Sequence, residues 1–277
     1  MNSINTNFAA LTALQSLNQT NSDMLMTQTR ISTGLKVGSA SDGAAYWSMA
    51  TTMRSDNSAL GAVSDALGLG SATVDVAYTG MNSVIDVTTE IKSKLVAARE
   101  PGVDRAKVQT EIDALQDQLR SVATSASFTG ENWLSIDSSA SGYQATETIV
   151  SSFTRDGSTV SVGTISVDVA GTFLFDTNST APAANLRGIL GSNRDATSGA
   201  IALAGTVVIA TDDGVGEIDI SSATDAQIDS YIQAVDVAIS EMTTAATKLG
   251  ASQSRIDLQQ EFVSNLMDAV DRGISTL

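Results

Sequence analysis

Catalysis and metal binding need particular side chains at particular spacings, and this chain supplies few of them. The densest group of potential ligands is Asp212-Asp213-Gly214-Val215-Gly216-Glu217-Ile218-Asp219, four carboxylates in one loop-like stretch, and hard oxygen ligands of that kind suit calcium. The spacing fits no EF-hand, and acidic turns are common in so acidic a protein, so a solvated turn is the expectation. The chain has neither cysteine nor histidine. That removes thiolate nucleophiles, disulfides, zinc-thiolate sites, the usual general base and the commonest metal ligand. Only Ser/Lys or paired-carboxylate schemes remain for catalysis, and no spacing suggests either. Tyr46-Trp47 beside a glycine-rich segment offers flat aromatic faces, yet packing at the base of a long helix is the simpler role. Met24, Met49, Met53, Met81, Met242 and Met267 fall at helical spacing and read as adaptable core filler. The expectation is a protein without enzyme activity, cofactor or metal.

Charge and composition narrow the class further. With 31 acidic against 15 basic residues the formal charge is -16, which repels phosphate backbones and anionic lipid surfaces, so no nucleic-acid partner is expected. A length of 277 residues with 42% hydrophobic content is enough for a substantial core. The N-terminal residues show no basic segment followed by an apolar run, and no stretch reaches the roughly 18 to 20 apolar residues of a membrane span; neither a signal peptide nor membrane insertion is expected. Only Pro101 and Pro182 interrupt the chain, which permits very long helices.

Those helices are visible as apolar seams stepping by three and four residues. The first runs Leu14, Leu17, Asn21, Met24, Gln28, Ile31, Leu35. After a break at Gly38 to Gly43 the seam resumes as Met49, Met53, Asp56, Leu60, Val63, Leu67, Gly70, Val74, Ala77, Met81, Val84, Thr88, Ile91 and Leu95. Glu100-Pro101-Gly102 supplies a stop. A third helix carries Val108, Ile112, Leu115, Leu119 and Val122. The cleanest heptad begins at Ile228 and continues through Ile232, Val235, Ile239, Met242, Ala246, Leu249, Gln253, Ile256, Gln260, Val263, Met267, Val270 and Ile274 to Leu277. No capping signal follows Leu277, so the chain reads as cut short. Between the seams, residues 136–222 are rich in serine, threonine, glycine and β-branched residues. Thr159 to Val167 alternates as a half-buried strand, with shorter candidates at Thr172 to Phe175 and Thr206 to Ala210.

Each seam is too narrow to be stable alone, so the helices at the two ends of the chain must cover one another. The fold class expected is mainly α with a β-rich insert: a long antiparallel helical bundle or coiled-coil rod with a small outer β domain. Four segments follow: 1–45, an N-terminal helix and hinge; 46–135, the N-terminal part of the rod; 136–222, the β-rich outer region; and 223–277, the C-terminal rod helix. The rod core is expected at Leu60, Val63, Leu67, Val74, Ile239, Met242, Leu249 and Ile256. Ile239, Met242 and Leu249 are expected to pack on the seam that includes Leu60, Val63, Leu67 and Val74.

The terminal segments also carry a resemblance. Ser3-Ile4-Asn5-Thr6-Asn7 with Ala10-Leu11, and then Arg30-Ile31-Ser32-Thr33-Gly34-Leu35-Lys36-Val37-Gly38-Ser39-Ala40-Ser41-Asp42-Gly43-Ala44-Ala45, resemble the N-terminal signature of bacterial flagellins. Phe128-Thr129-Gly130-Glu131-Asn132-Trp133-Leu134 looks like the turn that closes the N-terminal helices in that family. Leu249-Gly250-Ala251-Ser252-Gln253-Ser254-Arg255-Ile256 is similar to its C-terminal motif. The resemblance covers about 1–135 and 225–277. It implies a structural subunit of the flagellar filament, extracellular, exported unfolded and self-assembling through its terminal helices. It implies an assembly seam of Leu14, Leu17, Met24, Ile31 and Leu35, and a hinge motif that includes Arg30, Gly34, Ser39, Ala40 and Asp42. The partners implied are other flagellin subunits, the flagellar type III export apparatus, an export chaperone and the filament cap. At Glu90-Ile91-Lys92-Ser93-Lys94-Leu95 the chain departs from the Gln-Arg-Val-Arg-Glu-Leu usual in flagellins seen by innate immune receptors. A rival reading is a flagellin-like cell-surface protein whose middle region binds an extracellular ligand such as a carbohydrate, although Tyr143, Phe153, Phe173 and Phe175 are few and scattered for that role.

Overall fold

A computed structural model describes residues 8–157, 159–177, 188–191, 209 and 218–276. In chain order the elements are α1 (Phe8–Thr33), α2 (Ala44–Ala98), α3 (Arg105–Ser125), β1 (Ser127–Phe128), β2 (Glu131–Asn132), β3 (Ser135–Ile136), β4 (Thr146–Asp156), β5 (Thr159–Asp168), β6 (Phe175–Asp176), α4 (Gly188–Gly191) and α5 (Asp225–Thr276). The described chain is mainly α with a small strand-bearing insert. The residues group into two compact units: Met1–Ala62, Arg155–Thr159 and Phe262–Leu277 form the first, and Val63–Thr154 with Val160–Glu261 the second.

Local chemistry sets where the helices begin and end. Past Ala98 the chain turns through Pro101, and Gly102 takes φ +92, a conformation open chiefly to glycine. The Asp104 carboxylate then accepts from the Ala106 N–H as the N-cap of α3. Helix α5 opens with a capping box: the Gln227 side-chain oxygen accepts from the Thr224 N–H at 2.8 Å, and the Thr224 hydroxyl accepts from the Gln227 N–H at 3.4 Å. Between α3 and β3, Phe128 pairs with Glu131 across a two-residue turn in which both Thr129 and Gly130 have positive φ. Asn132 then closes α3: its amide donates to the Ala123 and Thr124 carbonyls and its oxygen accepts from the Leu134 and Ser135 N–H groups.

In the second unit α2 and α5 run antiparallel, and each step up one is matched by an equal step down the other. Gln253 bonds Asp75, a Cβ at Gly250 would touch the Tyr78 ring, Lys92 pairs with Asp236 at 2.6 Å, and Arg99 pairs with Asp229 at 2.7 Å. This register corrects the expected pairing. Ile239, Met242 and Leu249 lie level with the stretch of α2 between Tyr78 and Lys92, not with Val63, Leu67 and Val74, and Leu60 belongs to the first unit. The cause is the alignment of the ends, because Arg99 bridges both Asp225 and Asp229 and so holds the capped start of α5 beside the end of α2.

Burial in this unit is deep. From Val63 to Leu95 every expected α2 seam residue is buried, Gly70 and Thr88 included. Helix α3 buries Ile112, Gln116, Leu119 and Ala123. Helix α5 buries Ile228, Val235, Met242, Ala246, Leu249 and Ile256 on the expected seam, with Ala234, Ala238 and Ala245 as a second stripe; Ile239 is half-buried and so not the core residue expected.

The insert is joined to these helices. A Cβ at Gly70 would lie 2.5 Å from Ile149 of β4, and one at Gly80 would lie 2.7 Å from Leu134. Two glutamines of α3 hold the returning chain: Gln109 donates to the Ile218 carbonyl and accepts from the Ile220 N–H, and Gln116 donates to the Ile209 carbonyl at 2.8 Å. Strands β3 and β6 pair in parallel, and β4 pairs with β5. The alternating segment expected from Thr159 is β5, but its valines split. A strand buries residues of one parity only, so Ile165 and Val167 are buried while Val160 and Val162 are exposed. Of the Thr172 to Phe175 candidate only Phe175 lies in a strand; the Thr206 to Ala210 candidate falls almost wholly outside the described residues.

In the first unit α2 and α5 also run antiparallel. The Asn57 amide donates to Asp271 at 2.7 Å, Met267 lies over Gly61, and Met53 lies over Gly273. At the β4–β5 turn, Arg155 pairs with Asp56 at 2.7 Å. Ala50, Leu60 and Val263 are buried there, and α1 buries no residue at all.

Candidate functional site

Helix α1 has 26 residues, about 39 Å at 1.5 Å per residue. Of the expected seam, Leu14, Leu17, Met24 and Ile31 are between 60% and 79% exposed, and Phe8, Leu11, Leu25 and Met26 are exposed beside them. Leu35, just beyond the helix, is half-buried. A solvated helix normally carries many charges, whereas this one has only Asp23 and Arg30. Its threonine hydroxyls are already served: Thr12, Thr20, Thr27, Thr29 and Thr33 each donate to the carbonyl four residues back, and Gln19 donates to Asp23 at 3.1 Å. Another helix can cover such a surface without stranding many unpaired polar groups.

The hinge motif follows directly. Gly34 takes φ +70 with nothing near a Cβ built there, so its role is the left-handed turn that ends α1. Asp42 organises the next turn: one carboxylate oxygen accepts from the Gly38 N–H at 3.2 Å, the Ser39 N–H at 2.9 Å and the Ser39 hydroxyl at 2.9 Å. The Ser39 hydroxyl bond, then the backbone bonds and the nearby Arg30 charge, hold the Asp42 carboxyl below its ordinary range. A cavity of about 430 Å³ lies between the end of α1 and this turn, with Leu25, Met26 and Leu35 as its apolar wall and Arg30, Ser39 and Asp42 among its polar lining. Ala40 is exposed on the turn. The structure thus brings Arg30, Ser39 and Asp42 together, while Gly34 acts through the backbone.

The other residues singled out in the sequence fall elsewhere. Leu60, Val63, Leu67, Val74, Met242, Leu249 and Ile256 are buried within their own units. Tyr46 and Trp47 are exposed rather than packed. Met81 and Met242 are core residues as expected, but Met24 and Met49 are exposed, so they are not filler. Lys92 and Lys94 are tied to Asp236 and Glu111. The Asp212 to Glu217 stretch lies outside the described residues; among those described, no group of acidic side chains is placed to hold a metal ion. No described helix is long and apolar enough to cross a membrane. Sequence reasoning missed Gln109 and Gln116, because an amide that bonds backbone across a long loop leaves no periodic signal.

The division between the units is also electrostatic. Of the acidic residues only Asp23, Asp42, Asp56, Asp156, Asp268 and Asp271 belong to the first unit, against Arg30, Lys36, Arg54, Arg155 and Arg272, so nearly all of the net charge of -16 lies in the second.

Comparison with known proteins agrees with the motifs. The bacterial flagellin N-terminal helical region matches residues 4–138 and the bacterial flagellin C-terminal helical region matches 232–277. Flagellin C of Rhizobium meliloti (strain 1021) is 49% identical over 287 residues, an alignment covering 100% of this chain and 87% of the relative. Flagellin A of the same strain is 42% identical, covering 100% of this chain and 90% of the relative. A flagellin of Brucella melitensis biotype 1 is 36% identical, covering 100% and 85%. With family matches over both helical regions and relatives aligned along the whole chain, this protein belongs to the bacterial flagellins: it is a structural subunit of the extracellular flagellar filament, it self-associates, and it is not an enzyme.

Proposed function

We propose that α1 is the assembly helix of this flagellin, and that neighbouring copies in the filament cover the seam of Leu14, Leu17, Met24, Ile31 and Leu35. One observation carries this reading: a 26-residue helix with eight large apolar side chains in the open and no buried residue. Full burial of a leucine or isoleucine is worth about 1.5–3 kcal/mol. Several such side chains outweigh the cost of docking a helix whose threonine hydroxyls are already bonded. The near neutrality of the first unit fits the same role, because copies packed through it gain little mutual repulsion. The turn at Gly34 and the Asp42 cradle set the direction in which α1 leaves α2.

Before assembly the chain passes unfolded through the flagellar type III export apparatus, escorted by an export chaperone and placed by the filament cap. Support for these partners comes from the family resemblance, and the absence of cysteine removes any disulfide that would block threading. The experiment is filament formation by the full-length flagellin carrying Leu14→Asp and Leu17→Asp, followed by pelleting and electron microscopy. The variant monomer should keep the helical content and melting temperature of the parent and form no filaments. Normal filaments from it would overturn the assignment of α1.

A further inference from the structure

The seven methionines among the described residues divide between the two units. Met81 and Met242, in the second unit, are fully buried. All five in the first unit are accessible to some degree. Met53 and Met267 are half-buried, each with its terminal methyl over a glycine, while Met24, Met26 and Met49 are well exposed. Met24 sits on the α1 seam between Leu17 and Ile31, and Met26 lines the hinge cavity beside Arg30. Met49 opens the α2 seam four residues before the half-buried Met53.

We propose that Met24, Met26 and Met49 are an oxidation site of the unassembled subunit, taking hydroperoxides as the reactant, and that their conversion to sulfoxide blocks assembly. In each case a thioether sulfur lone pair attacks the distal oxygen of the hydroperoxide and the O–O bond breaks. The sulfur is oxidised to a sulfoxide, and the peroxide is reduced to water or an alcohol after the proton moves to the leaving oxygen. No cysteine competes for the oxidant, so methionine is the softest nucleophile on the chain. A sulfoxide turns a flexible apolar side chain into a strongly polar one. On a seam that must be covered dry, that oxygen either is stranded without a partner or keeps water in the contact. The subunit is therefore sensitive while free and shielded once neighbours cover α1. This inference rests on α1 being the assembly helix.

The test uses full-length flagellin dissociated from native filaments and treated with dilute hydrogen peroxide, with peptide mass spectrometry and a measurement of the critical concentration for assembly. Met24, Met26 and Met49 should oxidise first, Met53 and Met267 later, and Met81 and Met242 only on unfolding. The critical concentration should rise by about tenfold or more, the effect of stranding one polar group. The triple variant Met24→Leu, Met26→Leu, Met49→Leu should keep, after peroxide, the critical concentration it has before treatment, and intact filaments should oxidise more slowly than monomer at the same three positions. Unchanged assembly of oxidised parent protein would overturn the proposal, as would an equal loss in the peroxide-treated triple variant. The unoxidised Leu14→Asp, Leu17→Asp variant separates the two ideas: if it assembles, the role of α1 is wrong; if it does not and oxidised parent protein still does, only the oxidation site is wrong.

Discussion

Helix α1 and the α5 segment of the second unit have seams of similar spacing, yet they end in opposite environments. From Ile228 to Leu249, α5 buries two stripes, its seam except the half-buried Ile232 and Ile239 and the alanines at 234, 238 and 245, and α3 buries a face in the same unit. In α1, Leu14, Leu17, Met24 and Ile31 meet nothing that buries them. Periodicity reports that a helix has an apolar face. Which molecule covers that face is a separate question, answered within the subunit for α5 and, in the function proposed above, between subunits for α1.

Leucine truncation gives the largest expected contrast. Leu249→Ala, in the fully buried stripe, should cost about 2–5 kcal/mol of monomer stability in denaturant titration. Leu17→Ala should change it by less than about 0.5 kcal/mol, as surface substitutions do. Equal losses would mean that α1 is docked in its own subunit.

A glycine substitution sharpens the same contrast at smaller size. A methyl at Gly70 would meet three Ile149 carbons at 2.5 to 3.0 Å, so Gly70→Ala should cost about 1–3 kcal/mol through overpacking. Gly68, two residues earlier on α2, has open space around its Cβ position, and Gly68→Ala should be neutral or slightly stabilising. If both behave alike in thermal melts, the insert does not pack on α2 as described.

The smallest effect is electrostatic. Arg99 bonds Asp229 and holds its carboxyl below the ordinary aspartate range. A carboxyl with a depressed folded pKa binds fewer protons folded than unfolded, so its contribution is present above the unfolded value, about 3.9, and fades as pH falls through the lower folded one. The parent should therefore melt slightly above Asp229→Asn near neutral pH, and the gap should close in strong acid. A gap that widens toward low pH would contradict the pairing.

The helices and nearly all of the second unit's seams were legible in the sequence because α2, α3 and α5 bury a face with the period their apolar residues show. The pairing of α2 with α5 was not. Heptads allow any shift of seven, and what selects the register is Arg99 with Asp225 and Asp229 at the helix ends, a contact between residues far apart in sequence. β5 had the right extent but two opposing parities, which only the partner strand resolves. For the assembly site, family motifs pointed to the hinge, whereas the exposure of Met24 and Met49 could not be read from spacing that suits a core equally well.

Protease cleavage of monomer and filament tests the central claim most directly. Arg30 and Lys36 are exposed at the end of α1 and in the hinge, and a helix with no buried residue opens locally at little cost. Trypsin acting on dilute full-length monomer should cut first at these two positions and leave the rest of α2 to α5 as a resistant core, while in assembled filaments both should resist. Protection of Arg30 and Lys36 in the dilute monomer, equal to that in the filament, would show that α1 is covered within its own subunit and would contradict the account.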